Sequence, residues 1–337
     1  MNDVTVFGIK ACWKWVVVIA IFWTFHLLVS DRLNPYIFDI IIYAGINIIL
    51  AVSLNLVNGF TGQFSMGHAG FMSIGGYLSA YLTMLVFNLF PGIDTQSIYG
   101  TLFFLSALFC GGLGAAVSGY LVGLPSLRLK GDYLAIITLG FGEIIRVIIL
   151  NIETIGGARG LPGIPALSHF GWVYTFVVLS IFTVWRLMQS PHGRAFLSVR
   201  EDEVAAEAMG VNTTKTKVRA FALGAFFAGI AGGLFAHYLL YLNPQGFDFN
   251  KSFEIIIMVV LGGMGSISGS VIAAVFLTAI REALRELQQF TQIDFRMVIY
   301  SLMLIILMLT RPNGLFGTKE IFHFIPLRRR SLHDVKA

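Results

Sequence analysis

Apolar runs of near-bilayer length divide this chain almost from end to end. They fall at about 15–30, 36–57, 64–87, 98–123, 133–150, 171–188, 219–241, 253–265, 269–285 and 295–310. Most approach the roughly 20 apolar residues that a membrane-crossing helix needs. Only 12% of the 337 residues are charged, against about 25% in a soluble domain. In lipid, backbone groups must be satisfied within a helix or a closed barrel, and the alternating ten-residue strands of a barrel are absent. The sequence therefore predicts an all-α integral membrane protein, a polytopic bundle of about ten transmembrane helices with glycine-broken segments. The first run follows Lys10 and Lys14. It is long for a signal peptide and Ser30-Asp31-Arg32 offers no cleavage site, so it reads as a retained span. Cys12 and Cys110 lie in or beside apolar runs and imply no disulfide framework.

Charge placement sets the expected topology. With the N-terminus inside, ten spans put Lys10, Lys14, Arg128, Lys130, Arg186, Arg194, Arg200, Lys215, Lys217, Arg219 and the C-terminal basic residues on the cytoplasmic side. Arg32, Arg159, Lys251, Arg281, Arg285 and Arg296 fall outside. The asymmetry satisfies the positive-inside rule. Merging 253–265 with 269–285 would move the Arg328–Arg330 cluster outside, so these two runs are kept apart. Both termini are then cytoplasmic. Residues 1–317 form the transmembrane domain and 318–337 a basic cytoplasmic tail. The net charge of +5 is accounted for by this placement and implies no nucleic-acid partner.

Two glycine-rich breaks stand out. Asn55, Asn58, Thr61, Gln63, Ser65 and His68 are interleaved with glycines, and Gly262, Gly263 and Gly265 interrupt a later run. Broken helices at membrane depth line cavities or are buried in protein, because freed backbone groups need partners. The first cluster is thus either a pathway lining, with the second break facing it, or a surface loop before a helix packed on small residues. Small residues four apart, as at Gly119/Gly123, Ala225/Gly229/Gly233 and Gly265/Gly269, let helices approach closely. Glu143 and Arg146, one turn apart in the fifth run, can pair. Such intramembrane charges serve either packing or the transport route.

One long segment inside the chain is polar: SPHGRAFLSVREDEVAAEAMGVNTTKTKVR, Ser190 to Arg219. Ser198 with Glu201 three residues on fits a capping box, which predicts a helix from Val199 to Met209. Glu201, Asp202 and Glu203 would occupy its first turn and Gly210 would close it. This island is either a solvated loop with a helical turn or a docking helix for a cytoplasmic partner. No phosphate loop is present: Gly62 and Gly67 have the spacing, but His68 stands where lysine is required. No zinc-protease pair and no nucleophile elbow occur either, so covalent chemistry, metal and cofactor are not expected in this chain.

The segments NGFTGQFSMGHAGFMSIGGY (58–77), LRLKGDYLAIITLGFGEIIR (127–146), GGARGLPGIP (156–165), SVREDEVAAEAMGVNTTKTK (198–217) and FEIIIMVVLGGMGSISG (253–269) resemble branched-chain amino-acid ABC transporter permeases, in particular the M-type subunit. Urea-importer permeases are close relatives. The resemblance implies a vitamin-B12-importer-type permease fold in the bacterial inner membrane. It implies a second homologous permease, two cytoplasmic ATP-binding subunits and a periplasmic substrate-binding protein as partners. It also implies that the island docks on the ATPase through a Glu-Ala-Ala, three residues, Gly motif, matched here by Ala205, Ala206 and Gly210. Val204 occupies the glutamate position, with Glu203 one place earlier, so apolar shape is expected to matter more there than charge. An ion-coupled secondary transporter, using Glu143 or His68, is the rival reading.

Overall fold

The computed structural model describes residues 15–27, 34–91, 94–95, 97–126, 132–291, 296–311, 314–317 and 320. The tail expected at 318–337, apart from Glu320, lies outside them, as do Lys10, Cys12, Lys14, Arg128 and Lys130.

Every apolar run falls on a helix. In chain order the helices are α1 (Trp15–Leu27), α2 (Pro35–Asn55), α3 (His68–Leu89), α4 (Ile98–Ser126), α5 (Asp132–Asn151), α6 (Phe170–Met188), the island helices α7 (Pro191–Glu201) and α8 (Glu203–Ala208), then α9 (Thr213–Leu239), α10 (Phe249–Gly262), α11 (Ile267–Thr291) and α12 (Arg296–Thr310). Among the described residues seven helices are long and apolar enough to cross a membrane: α2 with the π-helical turn that follows it, α3, α4, α5, α6, α9 and α11. The protein is an all-α polytopic membrane protein.

Helix starts follow local chemistry. Asn34 accepts a hydrogen bond from the Tyr36 N–H, with Pro35 at the first helical position, and so begins α2. Asn212 caps α9 through the Lys215 N–H, so this helix begins at Thr213, earlier than the apolar run at 219 suggested. Asp248 caps α10 in the same way through Lys251. α3 starts at His68 instead of 64, because residues 61–67 are not helical.

α2, mostly buried, is the central helix, and α5, the least covered of the seven, lies at the edge. Around it, α3, α4 and α9 meet through glycines. A Cβ on Gly232 would fall 1.9 Å from the Met72 carbonyl oxygen of α3. On α9, Ala225, Gly229 and Gly233 all face α4: Cβ atoms added at Gly229 and Gly233 would lie 2.5 Å from Ala115 and Leu108, and one at Gly119 2.6 Å from Ala225. Such approach lets dispersion act between backbones where no hydrophobic force separates helix from lipid. α1 rests on α6 through aromatic contacts, including Trp23 edge-on to Trp172 at 5.4 Å and Trp15 to Phe182 at 5.6 Å. Away from the island, a two-residue antiparallel pairing, Leu161 with Leu242 and Pro162 with Tyr241, ties the α5–α6 connection to the end of α9.

Candidate functional site

The two glycine-rich breaks meet. α2 widens into a π-helical turn, Leu56–Phe60, and the chain then runs without helix to Gly67. The second break, between α10 and α11, lies against it. Asn55 joins the two: its Oδ1 accepts from the Gly265 N–H at 2.8 Å and its Nδ2 donates to the Ser266 carbonyl at 2.9 Å. Gly59 permits this contact, since a Cβ there would lie 2.3 Å from the Gly265 nitrogen. Asn58 folds the first break on itself, accepting from the Ser65 N–H at 3.1 Å and donating to its carbonyl at 3.4 Å. Gln63 donates to Thr61 O, and His68 Nε2 lies 2.9 Å from Ser53 Oγ. All six polar residues of the cluster, Thr61 included, are buried, and the Ser65 hydroxyl has no hydrogen-bond partner among the described residues. Gly262 and Gly269 touch backbone to backbone, and Gly263 and Gly265 have φ of +109° and +93°. α5 closes the site from one side: Thr138 Oγ1 accepts from the Met66 N–H at 3.0 Å, and Gly142 lies against Gly67 and Gly70.

Glu143 and Arg146 form the expected pair on α5. Arg146 Nε and Nη2 each lie 2.7 Å from Glu143 Oε2.

The island differs from the single helix expected at Val199–Met209. Ser190, immediately before Pro191, caps α7 through the Gly193 N–H, a stronger start than Ser198, whose hydroxyl is spent on the Ala195 carbonyl inside α7. Glu201 does not close a capping box; its carboxylate binds the Arg200 guanidinium at 2.6 Å. Asp202 is extended and caps α8 by accepting from the Val204 and Ala205 N–H groups at 2.9 and 3.0 Å. Gly210, with φ +85°, follows α8 in the left-handed conformation. Ala206 faces inward and Ala205 outward, while Val204 and Met209 present 68% and 85% of their surface to solvent. Two cations fasten the island to the bundle. The buried Lys217 Nζ donates to Glu203 Oε1 at 2.6 Å, and Arg200 Nη1 donates to the Gly59 carbonyl at 3.2 Å, in the first break. A cavity of about 240 Å³ lies between island and break, with Gln63, Arg200, Asp202 and Lys217 in its wall.

Two polar assemblies were missed from sequence. Lys251, placed outside by charge counting, is tucked against Glu254 at 3.0 Å and Asn47 at 3.3 Å, with Arg281 at 3.5 Å from Glu254. The spacing Lys251-x-x-Glu254 after Asp248 was the available signal. Glu320 accepts from the Ile267 and Ser268 N–H groups at 2.8 and 3.0 Å, capping α11 from 52 residues beyond Ser268. No local pattern announces that contact. Among the described residues no group of three His, Cys, Asp or Glu side chains could hold a metal.

Residues 36–308 match the family model described as the permease component of the branched-chain amino acid transport system. The chain is 35% identical over 335 residues to the high-affinity branched-chain amino acid transport system permease protein LivM of Salmonella typhimurium, covering 89% of this chain and 73% of the relative. Similarity to the probable LivM of Methanocaldococcus jannaschii is 29% over 328 residues, 84% of this chain and 93% of the relative. The Escherichia coli permease LivH is 25% identical over 293 residues, 81% and 92% of the two chains. No solved structure gives a significant match. A family model spanning most of the chain, with breaks, island and spans in the order the resemblance implied, identifies this protein as a member of the branched-chain amino acid transport permease family.

Proposed function

We propose that this chain is one of two transmembrane subunits of an ATP-driven importer of branched-chain amino acids in the bacterial inner membrane. In this reading it has ten spans in a vitamin-B12-importer-type fold, with both termini in the cytoplasm. Its partners are a second homologous permease, two cytoplasmic ATP-binding subunits that hydrolyse ATP, and a periplasmic binding protein that delivers substrate. Glu201, Asp202, Glu203, Ala205, Ala206 and Gly210 form the surface offered to the ATPase. Asn55, Asn58, Gln63, Ser65 and His68, with Gly262, Gly263 and Gly265, form the wall of the pathway at its island end.

The observation that carries this reading is how the island is built. α8 is only six residues long, too short to be stable alone, yet it is capped by Asp202, closed by Gly210 and anchored to α9 through Glu203–Lys217 and Glu207–Thr213, while Arg200 at the end of α7 binds the Gly59 carbonyl. It presents exposed apolar residues on a rigid mount. A helix so held transmits displacement, and Arg200 delivers it to the break that Asn55 ties to Gly265. The unpartnered Ser65 hydroxyl supports solvent or substrate near that break.

The test is uptake of labelled leucine into cells carrying the complete importer. Uptake that stops on ATP depletion, persists after collapse of the proton gradient and is lost when Ala205–Gly210 is replaced supports the reading. Persistence without ATP overturns it in favour of ion coupling. ATP-driven uptake of labelled urea, with no uptake of leucine, would reassign the substrate.

A further inference from the structure

We infer that the outward face of α5 lines the substrate pathway, and that the Glu143–Arg146 pair binds the ammonium and carboxylate groups of the transported amino acid. The inference rests on the transport reading above and locates its substrate contact.

α5 is the least covered of the seven long apolar helices. The charged pair sits in its middle, yet the side chains of Arg146 and Glu143 remain 26% and 35% exposed. An ion pair exposed at this depth does not rest against lipid tails; such groups face a water-filled cavity or a partner. Its geometry leaves complementary valences open. Both contacts from Arg146 converge on Oε2 of Glu143. Among the described residues, Glu143 Oε1 and Arg146 Nη1 have no hydrogen-bond partner. An open carboxylate oxygen beside an open guanidinium nitrogen complements an ammonium and a carboxylate carried on one carbon, and guanidinium–carboxylate pairing is the stronger half of that match.

The surroundings suit the rest of such a molecule. Gly140, one turn earlier, has nothing within 4 Å of the position a Cβ would take. Ile144 and Val147 are exposed beside the pair, 53% and 49%, and offer aliphatic surface to a branched side chain. Gly142, on the inward side of α5 next to Glu143 in sequence, packs against Gly67 at the end of the first break and Gly70 of α3.

Two measurements on the assembled importer decide the matter. Glu143→Gln and Arg146→Gln should each lower kcat/KM for leucine uptake by roughly tenfold, the loss of one charge-assisted hydrogen bond, while the amount of assembled importer in the membrane stays near wild type. The double exchange Glu143→Arg with Arg146→Glu restores a pair but reverses its polarity, and should not restore uptake. Full recovery in the exchanged protein would show a purely structural pair and overturn the assignment. Independently, Gly140→Cys, in a background carrying Cys12→Ser and Cys110→Ser, should react with a charged, membrane-impermeant methanethiosulfonate, and saturating leucine should slow that reaction. Reaction only with a lipid-soluble maleimide, or none with either reagent, would place this face against lipid or in a dry subunit contact and overturn the inference. ATP-independent uptake by the wild type would overturn the importer reading instead, and the Gly140→Cys labelling would still decide whether the face is solvated.

Discussion

Asn55 shows what one side chain contributes when two stretches of backbone are left without helix. Its amide serves as donor and acceptor to a segment more than two hundred residues away, satisfying the Ser266 carbonyl and the Gly265 N–H together. Replacing it with leucine keeps the volume and removes both partners. Each buried group left unsatisfied costs about 1–3 kcal/mol, so Asn55→Leu, which strands two, should destabilise the protein by roughly 2–6 kcal/mol, read as a lowered unfolding midpoint in detergent. An unchanged midpoint would mean the two breaks are held by packing alone. Asn55 was legible as a candidate because a polar residue in an apolar run is conspicuous. That the second break faces it was one of two open readings; the bonds to the Gly265 N–H and the Ser266 carbonyl were not legible, because no local rule links positions 55 and 265.

At the scale of elements, glycine decides the packing of α3, α4 and α9. Gly232→Ala would put a methyl 1.9 Å from the Met72 carbonyl. That backbone cannot yield without separating two helices, and the expected loss is about 1–3 kcal/mol. Gly246→Ala, where a Cβ meets nothing within 4 Å, should be close to neutral in the same unfolding assay. Equal effects from the two substitutions would contradict the close approach. The island makes the complementary point. Asp202→Ala removes the α8 cap, worth about 1 kcal/mol, from an element that contributes little to the core. Uptake should fall severalfold while the unfolding midpoint moves only slightly, measured on the same preparations. The α8 sequence announced a helix, a first turn and a closing glycine. It did not announce the division at Asp202, because Ser190, Ser198 and Asp202 are all competent caps. Ser190 won with Pro191 behind it, and α7 then ran on until Asp202 turned extended.

For the whole molecule, the proposed topology puts Met209 and Gln245 on opposite sides of the membrane, since α9 runs between them. With native cysteines replaced, Met209→Cys should label with an impermeant thiol reagent only in inverted vesicles, and Gln245→Cys only in intact spheroplasts. Labelling of both from one side would reject the arrangement. Residue order alone placed the apolar helices to within a few residues and marked the two glycine-rich breaks, because a bilayer imposes length and apolarity on each segment separately and glycine breaks a helix locally; the starts of α3 and α9 and the division at Asp202 lay beyond it. It also determined the pairing of Glu143 with Arg146, one helical turn apart. It took the packed helices to choose between the two readings of the first break, by bringing it against the second, and to show that Arg200 reaches Gly59 from the island. The packing likewise decided that Lys217 is buried and Lys251 half-buried beside carboxylates, and that Glu320 caps α11. These are contacts between distant positions, made when helices pack, and a polar group among apolar neighbours can find its partner only when the chain brings that partner near.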